Sequence, residues 1–316
     1  MTASEMPARI NDEGRSFPKC ALVATYFGEL PPWFSAFLLS CERNPDFSFL
    51  LFTDQSVDIH PPNVRPVQMT ISELNARATA LLGFDVRISR PYKACDLRPA
   101  FAVLFAEELR EYEFWGHCDI DVIFGDLRHF IQSDIDMGAD VISPRRQLVC
   151  GHFTLFRNIP LINELFKADE HFQRILNSDV SGYYDEVGMS ALVRRIAIPA
   201  GANVQWSSWR FNYRMTTRER RGLSSLPPVR QRWHWQDGKL FHRAFTGRRS
   251  EVMYLHFMTW KQSLRTCTVD YPSTVREFTI SFDGIDAAAP RFGRSFRAYP
   301  LRQSLRILKQ YLRSRF

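Results

Sequence analysis

The chain has 316 residues, of which 45% are hydrophobic and 14% aromatic, and its formal net charge is +7. This composition excludes a disordered chain, and the length suits one large α/β domain or two small ones. No run approaches the roughly 18–20 apolar residues of a membrane span, and the N-terminal residues lack the apolar stretch of a signal peptide, so we expect a cytoplasmic protein.

The first half of the chain alternates strand and helix signals. Lys19–Tyr26 is an unbroken apolar run typical of a strand buried on both faces, and a helix over Trp33–Arg43 and a strand over Phe47–Thr53 follow. The carboxyl ends of these strands, at Tyr26 and Asp54, are where ligands bind in open α/β sheets. Further predicted elements, in chain order, are helices over Ile71–Leu82 (capped by Ser72) and Asp96–Arg110, strands over Tyr112–Cys118 and Val122–Phe124, a helix over Leu127–Ser133, strands over Ala139–Ser143 and Val149–Phe156, and helices over Pro160–Lys167, Glu170–Leu176 and Glu186–Ile196.

The composition changes after Pro199, where arginine and tryptophan become frequent. Asp237-Gly238 between the runs Arg230–Gln236 and Lys239–Phe245 predicts a β-hairpin. Glu251–Phe257 is a last predicted strand, and Leu301–Phe316 has the pattern of a basic amphipathic helix.

Two carboxylates, Asp119 and Asp121, follow the predicted strand that ends at Cys118. In an extended chain, residues i and i+2 point to the same side, so both side chains can face one ligand. Oxygen ligands suit Mg²⁺ or Mn²⁺, which bind a few protein carboxylates together with substrate phosphates. Such an ion would neutralise a pyrophosphate leaving group. A solvated strand end is the alternative interpretation.

The stretches PYKACDLRPA (residues 91–100) and FWGHCDIDVIFGD (residues 114–126) resemble a family of bacterial glycosyltransferase-like proteins found with surface-polysaccharide and lipopolysaccharide genes. The order of an aspartate-containing helix and then Asp-x-Asp is similar to GT-A families that include capsular-polysaccharide and mannosyltransferase-like enzymes. The resemblance covers about residues 19–262, and it departs from the pattern at His152, where relatives tend to have a small residue. It also takes in Tyr26-Phe27-Gly28, Pro32-Trp33-Phe34, Phe52-Thr53-Asp54, Gly151–Asn158 and Asp185-Glu186.

This resemblance implies a single α/β domain of the GT-A kind over residues 18–265, with a mixed, mostly parallel central sheet flanked by helices. The donor half would be about residues 18–130, the acceptor half about 131–265, and a C-terminal extension, 266–316, would carry the basic amphipathic helix. The implied reaction moves a hexose from a nucleotide-diphosphate sugar, expected to be UDP-linked, to a glycan or lipid-linked acceptor in surface-polysaccharide synthesis.

The resemblance also implies roles for individual residues. Mn²⁺ or Mg²⁺ would be bound by Asp121, His256 and Asp119, of which Asp119 would contact either the metal or the ribose. Asp185, or Glu186 as second choice, would take the acceptor proton. The residues expected at the nucleotide sugar are Tyr26, Phe27, Asp54, Lys93, Asp96, Arg98, Asp119 and Lys261.

The basic charge leaves other functions open. The Arg- and Trp-rich segment 206–249 suits a nucleic-acid-binding module, although no helix-turn-helix, zinc-finger or RRM signature is present and no nucleic-acid partner is expected. The aspartates would also suit a metal-dependent phosphoesterase, and an inactive homologue is a third alternative. The tail 301–316 would either pack on the domain or hold the protein peripherally on the anionic inner face of the plasma membrane.

Overall fold

A computed structural model of the protein describes residues 17–206, 232–243, 249–257, 264, 266–281 and 284–287. The predicted tail helix 301–316, most of the Arg- and Trp-rich segment, and Lys261 lie outside these residues. The strands, in chain order, are β1 (Cys20–Tyr26), β2 (Phe47–Thr53), β3 (Val64–Gln68), β4 (Phe114–Cys118), β5 (Val122–Phe124), β6 (Val141–Ser143), β7 (Phe153–Arg157), β8 (Val204–Trp206), β9 (Arg232–Gln236), β10 (Lys239–Arg243), β11 (Arg249–Val252), β12 (Tyr254–His256), β13 (Thr266–Cys267), β14 (Glu277–Ser281) and β15 (Gly284–Asp286).

Within the described ranges, seven strands form a central sheet in the order β3-β2-β1-β4-β7-β6-β8. Four of its six pairings are parallel, and β7 runs antiparallel to both β4 and β6. The prediction of a mixed, mostly parallel α/β sheet is therefore confirmed. The sequence pattern misses the two edge strands, β3 and β8, because both are short and largely half-exposed, and β3 contains Pro66, which an edge strand tolerates.

The strand order indicates at which edge of this sheet a ligand would be expected to bind. Strand β1 is parallel to β2 on one side and to β4 on the other, so the winding direction of the sheet reverses between β1 and β4. Open α/β sheets bind ligands at the carboxyl ends of the strands that flank such a reversal. Tyr26, Asp54 and Asp119 occupy or directly follow the carboxyl ends of β1, β2 and β4.

Helices cover the central sheet, and two of the predictions for them need correction. Thr70, not Ser72, caps the second helix: its hydroxyl accepts a hydrogen bond from the Glu73 backbone N–H at 3.2 Å, and the Glu73 carboxylate accepts one from the Thr70 N–H at 2.7 Å.

The α-helices are α1 (Phe34–Glu42), α2 (Ile71–Leu82), α3 (Phe101–Leu104), α4 (Ala106–Leu109), α5 (Leu127–Asp136), α6 (Pro160–Asn163), α7 (Glu170–Leu176) and α8 (Val187–Leu192), joined by 3₁₀ helices Pro91–Ala100 and Leu165–Ala168 and a π-helix Val193–Ala197. None of the described helices combines the length and apolar character needed to cross a membrane.

The long helix predicted over Asp96–Arg110 is wrong. A 3₁₀ helix over Pro91–Ala100 is followed by the two short helices α3 and α4. Pro99 has no N–H and its ring clashes with the preceding turn, so a regular α-helix is unfavourable through this position. The 3₁₀ helix instead buries three charged side chains, those of Lys93, Asp96 and Arg98.

A second sheet, in the order β11-β10-β9-β14-β15-β13, packs on the same core. Its hairpin β9–β10 confirms the Asp-Gly prediction: Asp237 and Gly238 have φ of 46° and 82°, as the favoured two-residue hairpin turn requires. Strands β13, β14 and β15 lie beyond the boundary predicted at residue 265 and extend this sheet from β9, so the sheet spans that boundary. The division of the chain into donor half, acceptor half and extension stays a prediction.

The single strand predicted over Glu251–Phe257 is divided between two sheets. Strand β11 pairs with β10, whereas β12 pairs with β5, and the chain passes from one to the other at Met253. Gly125 permits this crossing, because a Cβ there would lie 2.7 Å from the Val252 carbonyl oxygen. The crossing brings His256 opposite Val122, directly beside Asp121.

Candidate active site

Asp119, Asp121 and His256 converge at the carboxyl end of β4. The aspartates are the first and last residues of the short link between β4 and β5. Strand β12 is held beside them because the Phe257 N–H donates to the Asp121 carbonyl at 3.0 Å. The His256 Nε2 lies 3.4 Å from Asp121 Oδ2 and 3.6 Å from Asp119 Oδ2. One ligand atom from each of the three residues lies within 4.8 Å of the others, and Asp121 and His256 are buried.

The donor atoms of this cluster fit a divalent cation. Carboxylate oxygens suit Mg²⁺ and Mn²⁺, and an imidazole nitrogen adds preference for Mn²⁺. The two oxygens of Asp119 are divided between two partners, because Oδ1 accepts a hydrogen bond from Arg98 while Oδ2 faces His256. Arg98 therefore fixes which oxygen is presented to an ion.

Arg98 links this cluster to a second carboxylate. Its Nη1 donates to the Gly151 carbonyl at 2.7 Å and to Asp185 Oδ2 at 2.9 Å, while its Nη2 donates to Asp119. A buried guanidinium is tolerated here because carboxylates on both sides compensate its charge. Residue 151 has no room for a side chain: a Cβ would lie 2.6 Å from Asp185 Oδ2 and 2.9 Å from Arg98 Nη1.

Asp185 is a buried carboxylate with a raised pKa. Burial raises its pKa to about 7, while Arg98 opposes this shift and the carboxylates of Glu186 and Asp119 add to it. Glu186, its neighbour, is less buried and accepts a hydrogen bond from the Gly151 N–H at 3.0 Å. Both predicted catalytic residues thus lie around Gly151, on the side of Arg98 away from the metal-type cluster.

Lys93 and Asp96 are completely buried, and their polar atoms face the protein interior. The Lys93 ammonium donates to the carbonyls of Ile175 and Val180 at 2.8 and 2.9 Å and lies 3.6 Å from Asp96. Asp96 accepts hydrogen bonds from the N–H groups of Gly182 and Tyr184 at 2.9 and 3.0 Å. Together they anchor the segment that leads to Asp185, and their predicted contact with a nucleotide has no geometric support in this structure.

The remaining predicted donor residues lie at the carboxyl ends of β1 and β2. Tyr26 is half-buried, whereas Phe27 is buried in the core. Asp54 accepts a hydrogen bond from the Gly28 N–H at 2.8 Å, and hydrogen bonds from Gln55 and then Gly28 lower its pKa. Asp54 therefore ties the two strand ends together. Of the described residues at this edge, Tyr26 remains the candidate for stacking on a nucleobase.

His152, which the sequence marks as a departure from the pattern of the similar family without giving it a role, also lies at this site. Its ring stacks on that of His256, with centroids 4.4 Å apart and an interplanar angle of 23°, and its Nδ1 lies 3.0 Å from the Tyr254 hydroxyl. The available signal was its position: β4 pairs with β7 so that Cys118 faces Phe153, which places residue 152 beside Asp119. His117 has an internal structural role, since its Nδ1 lies 2.9 Å from the Gly151 carbonyl and burial holds its pKa well below the usual range.

Residues 22–288 match the model of a family described as "Family of unknown function (DUF6625)". The chain belongs to this family. No curated protein matches the chain. Among solved structures, it is similar to the crystal structure of mouse Xyloside xylosyltransferase 1 in its apo form, with 10% identity and a TM-score of 0.35 over 59% of this chain and 84% of that chain. A similarity of this size establishes neither a shared fold nor a shared activity.

Proposed function

We propose that this protein is a metal-dependent glycosyltransferase that moves a hexose from a nucleotide-diphosphate sugar to a saccharide hydroxyl. The observation that carries the proposal is the convergence of Asp119, Asp121 and His256 at the carboxyl end of β4. This cluster lies at the edge where the sheet order reverses, which is where α/β sheets of this kind bind nucleotides. A divalent cation held there would neutralise charge on a diphosphate leaving group.

The side chains around Arg98 suit the sugar end of the donor. Arg98 holds Asp119 so that one carboxylate oxygen faces the cation site, and it holds Asp185 in the opposite direction. Its guanidinium is a fixed positive charge in a largely water-excluded position, where it stabilises negative charge better than it would in solvent. The donor sugar would lie beside the Arg98 guanidinium, which links the cation site to Asp185.

Asp185 is our first candidate for the group that takes the acceptor proton, and Glu186 is the second. A pKa of about 7 lets Asp185 accept a proton at neutral pH and hold it more strongly than an ordinary carboxylate does. UDP as the nucleotide, a glycan or lipid-linked acceptor in surface-polysaccharide synthesis, and a cytoplasmic or peripheral membrane location belong to the proposal as expectations. Tyr26, at the carboxyl end of β1, would contact the nucleobase.

The test is a screen of UDP-glucose, UDP-galactose, UDP-N-acetylglucosamine and GDP-mannose, with and without Mn²⁺, by isothermal titration calorimetry and by nucleotide release. One nucleotide family should bind in a Mn²⁺-dependent way, and its nucleotide should be released slowly even without an acceptor. His256→Gln should abolish the Mn²⁺ dependence, whereas His129→Gln, on the exposed surface of α5, should leave it unchanged.

Binding that is equally strong in chelator, or equally strong in His256→Gln, would contradict the proposal. Hydrolysis of p-nitrophenyl phosphate that depends on Asp121, in the absence of any nucleotide-sugar turnover, would favour the phosphoesterase alternative instead. The nucleic-acid alternative rests on the segment 206–249, most of which lies outside the described residues.

A further inference from the structure

Two tyrosines form an exposed aromatic pair close to the proposed catalytic carboxylates. Tyr92 has 58% and Tyr183 has 50% of its surface exposed, and their rings make an edge-on contact with centroids 6.1 Å apart and an interplanar angle of 74°. Tyr183 lies two residues before Asp185, and Tyr92 lies on the 3₁₀ helix that carries Arg98. Large aromatic side chains are normally turned inward, so a paired exposure beside a polar site points to a ligand.

The environment of Tyr92 favours the protonated form of its hydroxyl. Burial of part of the ring raises the pKa of Tyr92, and the neighbouring Cys95, Tyr183 and Asp185 raise it further. The hydroxyl of Tyr92 therefore stays protonated at neutral pH and remains a hydrogen-bond donor. Tyr183 is separated by a single residue from Asp185, the group that we propose takes the acceptor proton, so this tyrosine lies in the same loop.

The backbone around Tyr183 is held firmly from inside the protein. Gly182 and Tyr184, on either side of it, both donate their N–H groups to the buried carboxylate of Asp96. The buried ammonium of Lys93 fixes the carbonyl of Val180 in the same segment. Fully buried side chains that anchor an exposed loop residue pre-organise it for binding.

Tyr183 itself has an unusual backbone conformation. Its φ is 52°, in the left-handed region that bulky residues seldom occupy. Non-glycine residues persist in this region when the surrounding structure forces them to, and they concentrate at ligand-binding positions. A glycine would adopt this backbone conformation with less strain, so the presence of a tyrosine is best explained by a function of its ring in binding.

We propose that Tyr92 and Tyr183 bind a pyranose ring of the acceptor saccharide and deliver its hydroxyl toward Asp185. A tyrosine offers an apolar ring face for the C–H face of a sugar and a hydroxyl for its polar edge. The Arg98 guanidinium beside Asp185 is already paired with two carboxylates, which favours a neutral saccharide over a phosphate group at this position. This proposal rests on the proposed function, because it treats the site around Asp185 as the acceptor side.

The test measures saccharide binding directly, by saturation-transfer NMR with the α- and β-methyl glycosides of glucose, galactose, mannose, xylose and rhamnose. At least one glycoside should receive saturation from the wild-type protein. Tyr92→Ala and Tyr183→Gly should each raise its Kd by about tenfold or more, and glycine at residue 183 preserves the backbone because it readily adopts positive φ. Tyr92→Phe and Tyr183→Phe keep the ring and should stay within about threefold of the wild type, and Leu81→Ala, at a similarly exposed position on α2, should have no effect.

No saturation of any glycoside by the wild-type protein would overturn this proposal, as would unchanged Kd values in Tyr92→Ala and Tyr183→Gly. Mn²⁺-dependent nucleotide binding, measured on the same variants, separates it from the proposed function and shows that they are folded. If nucleotide binding persists while the glycosides ignore both tyrosines, only the acceptor surface is wrong. If the glycosides depend on the tyrosines but no nucleotide binds, the saccharide surface stands and the glycosyltransferase proposal fails.

Discussion

Replacing Asp121 by asparagine removes one negative charge from the cluster while keeping the shape of the side chain. In the folded protein Asp121 is 3% exposed, and its ligand oxygen lies within 4.8 Å of that of Asp119. Two unit charges at this distance, in an effective dielectric constant near 20, repel each other by about 3.5 kcal/mol. Without metal, we therefore expect Asp121→Asn to be at least as stable as the wild type, an unusual result for a substitution at a buried site.

Metal should reverse this order of stability. An ion present at 100 times its Kd adds about 2.7 kcal/mol to the free energy of unfolding, which corresponds to a rise in Tm of several degrees. Asp121→Asn lacks a charged ligand, so the same Mn²⁺ concentration should raise its Tm by less than about 1 °C. Differential scanning fluorimetry on chelator-treated protein, titrated with Mn²⁺ and with Mg²⁺, measures both quantities.

Asp136→Asn is the matched control, because Asp136 is an exposed carboxylate on α5. It should respond to Mn²⁺ like the wild type. An Mn²⁺ response of equal size in Asp121→Asn and the wild type would refute the assignment of the cation site. A metal-free Asp121→Asn protein that unfolds well below the wild type would refute the reasoning about charge repulsion.

Three further predictions concern Arg98, Asp185 and His152. Arg98→Met should lower the free energy of unfolding by about 3–5 kcal/mol, because Asp119 and Asp185 lose the positive charge that compensates them. A loss below about 1 kcal/mol, measured by urea denaturation, would contradict a stabilising role for these ion pairs. The pKa of Asp185 is raised on folding, so its contribution to stability is full below about pH 4 and is lost as the pH rises through about 7. Asp185→Asn should therefore flatten the dependence of the free energy of unfolding on pH between these values. An unaltered dependence on pH would argue against the shift. His152→Ala should weaken Mn²⁺ binding by about 10-fold or more, because the ring that stacks on His256 is lost. His152→Phe keeps an aromatic ring and should largely retain Mn²⁺ binding, which EPR measures for both variants. Equal Mn²⁺ affinity of the two variants would exclude a positioning role for His152.

Local pattern was sufficient for the buried strands. The unbroken apolar runs of β1 and β2 and the Asp-Gly turn between β9 and β10 each depend on a few neighbouring residues, and these predictions are confirmed. The pattern failed where tertiary contacts override local preference. The segment Pro91–Ala100 illustrates this, because the long helix predicted from Asp96 is replaced by a 3₁₀ helix whose Lys93 and Asp96 side chains satisfy backbone groups of a distant segment inside the core.

The sequence by itself determined the mixed α/β class, the position of the Asp-x-Asp pair after β4, and the chemical type of ligand that such a pair suits. It also singled out His256 and Asp185 as candidates. Only the tertiary structure decided that these residues meet, because the crossing at Met253 sets His256 beside Asp121 across 135 residues of chain, and Arg98 spans from Asp119 to Asp185. Distances of this kind depend on strand pairing and on buried charges finding partners, and neither is encoded in the periodicity of a single segment.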